Sequence, residues 1–180
     1  MPSLPYSTIF LKSNFILYRK KKGVFMISRE DNPESLNDFL DYSATILNKS
    51  KNTIKEYNYD IAHFLKFIKF HYKMVNATEE FIKEIQIADI TLDTISKITL
   101  QDIHAFLGYL KNCYHSKPAT LARKTASIRM FFKYLCNKMK KIPNNPAQDL
   151  ESPKLGKRLP KHLSLDESRK LLEVSRGSQS

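Results

Sequence analysis

Glycine, cysteine and tryptophan are scarce in this sequence: its 180 residues include four glycines, two cysteines and no tryptophan. So few glycines leave no glycine-rich loop that could cradle a phosphate group. Cys113 and Cys136 stand within apolar patterns, without a CxxC pair and without a histidine at ligand spacing. We therefore expect two reduced cysteines in a cytosolic protein, no structural metal and no cofactor.

Long apolar runs are also missing, since no run approaches the roughly 18 residues that a membrane-spanning helix needs. The N-terminal segment "STIFLKSNFILYRKKKGVFM" is apolar and basic. Its basic cluster, Arg19 to Lys22, follows the apolar part, whereas a secretory signal begins with its charges. We expect no membrane partner, and either that Met26 is the biological start or that residues 1–27 form a disordered N-terminal extension.

Acidic residues are few relative to basic ones: 18 Asp and Glu against 30 Lys and Arg give a formal charge of +12. This excess predicts a polyanionic partner, nucleic acid before an anionic membrane surface. The charge is also segregated along the chain. Basic residues dominate from Lys111 to Lys161, and acidic residues dominate from Glu79 to Asp102.

Apolar residues recur at helical spacing in four long segments, and no sustained strand-like alternation is present. Ser and Asn favour helix N-caps, Thr begins a capping box, and proline suits a first helical turn. The expected boundaries are Ser35 or Asn32 as the cap of the first long helix, Thr99 as the cap of the third, Ser116 to Pro118 as the start of the fourth and about Met139 as its end. A short helix is expected near Leu92 to Ser96.

The second long helix, "KSKNTIKEYNYDIAHFLKFIKFHYK", and the fourth, "SKPATLARKTASIRMFFKYL", each combine an apolar face with a basic one. In the second helix the face opposite the core is expected to hold Lys55, Tyr59, Ala62, Lys66 and Lys69. In the fourth, the residues expected to point away from the core are Arg123, Ser127, Arg129 and Lys133. Because Arg123 and Lys124 lie off the apolar stripe, we expect alanine at both positions to leave the fold intact.

A proline-rich basic segment, "KKIPNNPAQDLESPKLGKRLPKHLS", follows the fourth helix and is expected to be a mostly extended linker. After it, "SLDESRKLLEV" predicts a last short helix with an acidic first turn. The sequence therefore predicts an all-α protein. Residues 28–152 form a four-helix bundle, and residues 153–180 hold a basic linker and a short C-terminal helix.

Two of the long helices begin with small polar residues and bases, "SKNTIK" and "SKPATLARK". A helix start offers free backbone N–H groups and the positive end of the dipole, which suit phosphate contacts. Ordinary capping explains either start equally well, but two basic starts in a protein of charge +12 favour DNA. The sequence has no HExxH or GxSxG motif and no recognisable catalytic carboxylate pair, so nothing in the residues indicates catalysis.

The order of "SKNTIKEYNYDIAHFLKFI", "ITLQDIHAFLGYL", "SKPATLARKTASIRMFFKYL", "NNPAQDLESPK" and "LPKHLSLDESRKLL" resembles the N-terminal half of tyrosine recombinases of the phage integrase and Xer type, from about Leu36 to Leu172. This resemblance implies a SAM-like core-binding domain that closes over one face of a double-stranded recombination site, together with other recombinase subunits. The DNA-binding residues that it implies are Lys51, Asn52, Thr53 and Lys55 on the second helix, Thr120, Arg123, Lys124, Ser127 and Arg129 on the fourth, and Lys154, Lys157 and Lys161 along the linker.

In that family the catalytic arginines, lysine, histidines and nucleophilic tyrosine belong to a second domain, and this sequence reaches about ten residues into it. The resemblance therefore implies a chain that binds DNA without cutting it. Two other functions remain open. One is a self-contained helical DNA-binding regulator, which would need a compact helix-turn-helix. The other is an interaction protein that uses the acidic segment Glu79 to Asp102 against a basic partner.

Overall fold

The computed structural model describes residues 28–76, 82, 84–153 and 169, and throughout these residues the chain contains helices and turns but no strand. The helices are α1 (Glu34–Thr45), α2 (Lys51–His71), α3 (Leu92–Ser96), α4 (Leu100–Asn112) and α5 (Pro118–Lys133). A 3-10 turn, Arg29–Asp31, precedes α1, and a π-helical turn, Tyr134–Lys138, continues α5. The all-α prediction is confirmed, with four long helices and the short one at its expected place.

Several predictions fall on residues outside the described ranges. They are the N-terminal extension, the linker residues Lys154, Lys157 and Lys161, and the last short helix apart from Arg169, which is helical. Within the described ranges, none of the helices is both long enough and apolar enough to cross a bilayer.

The predicted helix starts are confirmed for α4 and α5 and are wrong for α1. Thr99 and Asp102 form a capping box at α4, and Pro118 occupies the first turn of α5. At α1 the N-cap is Pro33, and no side chain caps the helix. The amide of Asn32 instead donates to the side-chain oxygens of Asn58 (2.8 Å) and Asn37. Asn32 therefore ties α1 to α2, a partner that local spacing does not reveal.

Helix α5 runs alongside α2 in the same direction. Near the start of both helices Arg123 pairs with Glu56, and two turns further along Phe132 packs on Phe64 with ring centroids 6.2 Å apart. The contacts advance along both helices together, so α2 and α5 begin at the same end of the bundle.

Helix α4 runs against α2. Its first turn meets the end of α2, where the hydroxyl of Tyr72 donates to Asp102 at 2.9 Å, and Phe106 in its middle packs on Phe67. Helix α1 also runs against α2, since Asn32 bonds Asn58 while Ala44 lines a groove with Lys51. Helix α2 is thus surrounded by the other three long helices.

The central position of α2 explains why its predicted outer face is right for Lys55 and Tyr59, which are exposed, and wrong further along the helix. All ten residues from Asp60 to Lys69 are buried, including Ala62, Lys66 and Lys69, which were expected opposite the core. Lys69 donates to Asp89 at 2.5 Å and to the Gln86 carbonyl at 2.9 Å. A helix enclosed on all sides has to bury polar side chains as well as apolar ones, and these need partners inside the protein.

The first part of the predicted extended linker instead belongs to the bundle. Residues 141–150 run in bends and turns, and Ile142, Ala147 and Leu150 are buried in the core. Lys141 also pairs with Asp38 of α1 at 2.9 Å. The extended conformation was therefore wrong for this part, because the prolines shape turns that return apolar side chains to the core.

Candidate nucleic-acid interface

The start of α2 carries exposed basic and polar side chains. Ser50 caps the helix, its hydroxyl accepting from the Thr53 backbone N–H at 3.2 Å. Lys51, Asn52 and Lys55 are exposed, and Thr53 is half-buried. The side chains of the first turn, at Lys51 and Asn52, therefore project into solvent beside the positive end of the helix dipole.

An open groove of about 360 Å³ lies between the end of α1 and the start of α2. Its lining residues are Arg29, Asp41, Ala44, Lys49, Lys51, Ile54 and Lys55. Four of these seven are cationic, and one of the four, Arg29, already pairs with Asp41 at 2.7 Å. The remaining lysines make this groove suited to an anionic chain.

The start of α5 lies at the same end of the bundle. No side chain caps this helix, and its N-cap residue, Lys117, is exposed. Thr120 is half-buried one turn later. Sequence reasoning did not single out Lys117 or Lys49. Their position directly before a basic helix start is the signal that could have identified them.

Behind these helix starts lies a buried charge cluster centred on Asp60. The Asp60 side chain is 0% exposed. Its carboxylate accepts from Arg123 Nη1 at 2.7 Å, from Lys124 Nζ at 2.8 Å and from Ser127 Oγ at 2.7 Å. Burial lowers the pKa of Lys124, and the neighbouring Asp60 carboxylate opposes that shift. Lys124 also lies 4.7 Å from the centroid of the Tyr59 ring, in a cation–π contact.

This cluster corrects the predicted faces of α5. Ser127, which was expected to point away from the core, is buried, and so is Lys124, which was expected to lie off the apolar stripe. Alanine at both Arg123 and Lys124 would leave the Asp60 carboxylate buried with Ser127 as its remaining partner. We therefore expect this change to destabilise the fold, contrary to the expectation from the apolar stripe. Asp60 itself was missed. An acid directly before the largely apolar run "IAHFLKFI" is a signal of a buried charge. Its partners could not be identified locally, because they lie more than sixty residues away.

Arg123 differs from its buried neighbours because it reaches the surface. Its side chain is 38% exposed and pairs both with Asp60 and with Glu56, whose side chain is 53% exposed. Of the predicted residues on α5, Arg123 and Thr120 are therefore those that solvent reaches near the helix start.

Arg129 lies apart from the Asp60 cluster and contacts residues 150 and 152. Its guanidinium donates to the Leu150 carbonyl and, at 3.4 Å, to the Ser152 hydroxyl. Arg129 thus holds the segment that follows the π-helical turn against α5. Among the described residues, no three His, Cys, Asp or Glu side chains are grouped so that they could hold a metal ion.

Comparison with known proteins gives one family. The family described as "Phage integrase, N-terminal SAM-like domain" matches residues 36–141. Tyrosine recombinase XerC of Caldanaerobacter subterraneus is 41% identical over 153 residues, which cover 85% of this chain and 43% of the relative. Tyrosine recombinase XerD of Oceanobacillus iheyensis is 31% identical over 140 residues, which cover 78% of this chain and 40% of the relative.

A third relative, tyrosine recombinase XerC of Herpetosiphon aurantiacus, is 30% identical over 78% of this chain and 39% of its own length. No solved structure matches the chain. The chain spans about two fifths of the length of these curated relatives. The helical bundle, the extent of the family match and these relatives agree, and the chain belongs to the tyrosine recombinase, or phage integrase, family through its N-terminal SAM-like domain.

Proposed function

We propose that this chain binds double-stranded DNA as the core-binding domain of a tyrosine recombinase, through the end of the bundle at which α2 and α5 begin. The observation that supports this most is the common direction of the two helices, which brings two basic helix starts to one end. Exposed lysines and the positive ends of helix dipoles suit phosphate oxygens, which receive most protein–DNA hydrogen bonds.

The proposed contact residues divide into two roles. The first role is contact with the DNA backbone, by Lys51, Asn52, Thr53 and Lys55 on α2 and by Thr120 and Arg123 on α5. These contacts continue along the linker through Lys154, Lys157 and Lys161. Lys124 and Ser127 position Arg123 through Asp60. Arg129 positions the chain that leads to the linker.

The proposed setting is a recombination site in the cytoplasm, occupied together with other recombinase subunits. The family's cleaving residues belong to its second domain, so we propose that residues 1–180 bind DNA without forming a covalent intermediate. Bound to half-sites, the chain would then compete with a full-length recombinase.

Binding is tested with a labelled duplex of random sequence, titrated with the full chain at several salt concentrations. The affinity is expected to fall with salt, with a log–log slope of about −0.9 for each phosphate contact. K51A/K55A should weaken binding about tenfold and make the slope shallower by roughly one for each lysine that contacts a phosphate. K97A/K133A removes the same charge from exposed positions away from both helix starts, and should have a much smaller effect.

Equal losses of affinity for the two double variants would show that net charge alone governs binding, and would contradict the proposed DNA-binding surface.

The proposal that this chain does not cleave DNA is tested on a nicked suicide duplex at saturating protein, where no covalent adduct is expected. A phosphotyrosine-linked adduct formed by this chain alone would contradict it.

A further inference from the structure

Glu56 is an exposed carboxylate at the proposed DNA-binding end, and we expect it to contribute little to the stability of the fold. Asp60, one turn later on α2, is fully buried and already receives Lys124 and Ser127 as well as Arg123. Glu56 is 53% exposed, and its ion pair is with Arg123. Surface ion pairs of this kind contribute little to stability. Its presence beside the helix starts therefore calls for another explanation.

The charges of this cluster cancel. Glu56 and Asp60 carry two negative charges, and Arg123 and Lys124 carry two positive ones. Asp60 and Lys124 neutralise each other inside the protein, which leaves Glu56 paired with Arg123 at the surface. A DNA phosphate that approaches Arg123 therefore meets a carboxylate that already occupies the guanidinium and repels the phosphate.

We propose that Glu56 acts as an intramolecular substitute for a DNA phosphate: it holds Arg123 in place and keeps it from binding DNA until a closely seated duplex displaces the carboxylate. This inference rests on the proposed function, and its ligand is the phosphate backbone of duplex DNA. Loosely placed duplexes gain nothing from Arg123, so Glu56 lowers the affinity for non-specific DNA. It is a specificity-determining residue rather than a binding one.

The test is E56Q, which keeps the size of the side chain and removes its charge at an exposed position. Against a random-sequence duplex we expect about fivefold tighter binding. The log–log salt slope should steepen by about 0.9, because one further phosphate is then contacted. The control is D93N, which removes an exposed carboxylate of α3 that is likewise paired with a cation, Lys97, in an i,i+4 ion pair. D93N should change affinity less than twofold and leave the slope unchanged.

A second comparison shows whether Glu56 works through Arg123. In the R123A background E56Q should no longer steepen the salt slope, because no guanidinium is left to be released. A thermal melt of each variant checks that it remains folded, with Lys124 and Ser127 available to hold Asp60. A steeper slope that persists without Arg123, or an E56Q effect no larger than that of D93N, would overturn the inference. Binding by the wild-type chain would in that case still support the proposed function. If the wild-type chain bound no duplex at any salt concentration, the proposed function would fail first.

Discussion

Helix α2 buries the acid Asp60 and, nine positions later, the base Lys69, and the two ends of the bundle surround these two charges in opposite ways. Asp60 is enclosed with the cations Arg123 and Lys124 and with Ser127. Lys69 is 8% exposed, whereas its partner Asp89 is 67% exposed. At the Asp60 end the acid is hidden together with Lys124, and Arg123 remains partly exposed. At the Lys69 end the base is hidden and the acid remains outside.

The difference shows how a bundle can direct a polyanion to one of its ends. Near the helix starts the exposed charges include Lys49, Lys51, Lys55 and Lys117. Near the end of α2 the exposed charges include Glu84, Asp89 and Asp93. The burial of Asp60 and Lys69 thus removes from each surface the charge that would oppose its neighbours.

Breaking the Asp60 cluster should have the largest effect. D60N removes the negative charge that neutralises the buried ammonium of Lys124, and unpaired buried charges cost about 3–5 kcal/mol. We expect a loss of unfolding free energy in this range, measured by urea denaturation. S127A is the control, since Asp60 then keeps both cations, and one lost hydrogen bond costs about 1 kcal/mol. Equal losses in the two variants would mean that charge does not set the stability of this end.

The corresponding change at the other end should be milder. K69M keeps a long apolar side chain in the core and leaves behind Asp89, which water can solvate. We expect a loss of about 1–2 kcal/mol in the same urea experiment, because hydrogen bonds to Asp89 and Gln86 disappear without leaving a buried charge. A loss as large as that of D60N would contradict the comparison between the two ends.

Local signals in the sequence were enough to predict the helices but not the enclosure of α2. Thr99, Pro118 and the segment Leu92–Ser96 carry their information within a few residues, and the structure confirms them. The burial of Lys69 and Lys124 depends on partners 20 and 64 residues away. Periodicity detects one apolar stripe on a helix, and it does not reveal that neighbours cover the remaining faces.

Acid should weaken the contacts of Asp89 and Asp102 near the end of α2. The hydrogen bond from Lys69 lowers the pKa of Asp89. Burial raises the pKa of Asp102, but hydrogen bonds from the Thr99 backbone and hydroxyl and from Tyr72 outweigh it, so this pKa is also lowered. A carboxylate with a lowered folded-state pKa contributes stability above its unfolded pKa of about 3.9, and the contribution is lost as pH falls through the folded value.

We therefore expect the wild-type chain to lose stability between about pH 5 and pH 2. D89N should be less stable than wild type near neutral pH and should lose less on acidification, as measured by thermal melts across this range. Parallel curves for the two proteins would show that the Lys69–Asp89 pair does not contribute to acid unfolding.

The smallest effects should come from the residues that end the helices. Lys73, after α2, has a left-handed backbone with φ of 54°, and Asn48, after α1, has φ of 47°. Lysine is disfavoured there, whereas asparagine tolerates it. K73G should therefore raise the unfolding free energy by up to about 1 kcal/mol, and N48G by less, in urea titrations. If N48G raised the unfolding free energy more than K73G, the left-handed backbone conformation would not be what limits stability at these helix ends.

The shared direction of α2 and α5 also has a consequence for the order of folding. Two helices that run the same way need a long connection, and the contacts of Asp60 bridge 63 to 67 residues, whereas Lys69 finds Asp89 after 20. Closing the longer loop costs more chain entropy, and contacts of this separation form late. During translation Lys69 can pair with Asp89 well before residue 127 has been synthesised. Asp60 cannot be neutralised until Arg123, Lys124 and Ser127 have been added to the chain. The end of the bundle proposed to meet DNA is thus completed only when α5 is present, and a chain that ends before α5 lacks the basic start of that helix and the partners of Asp60.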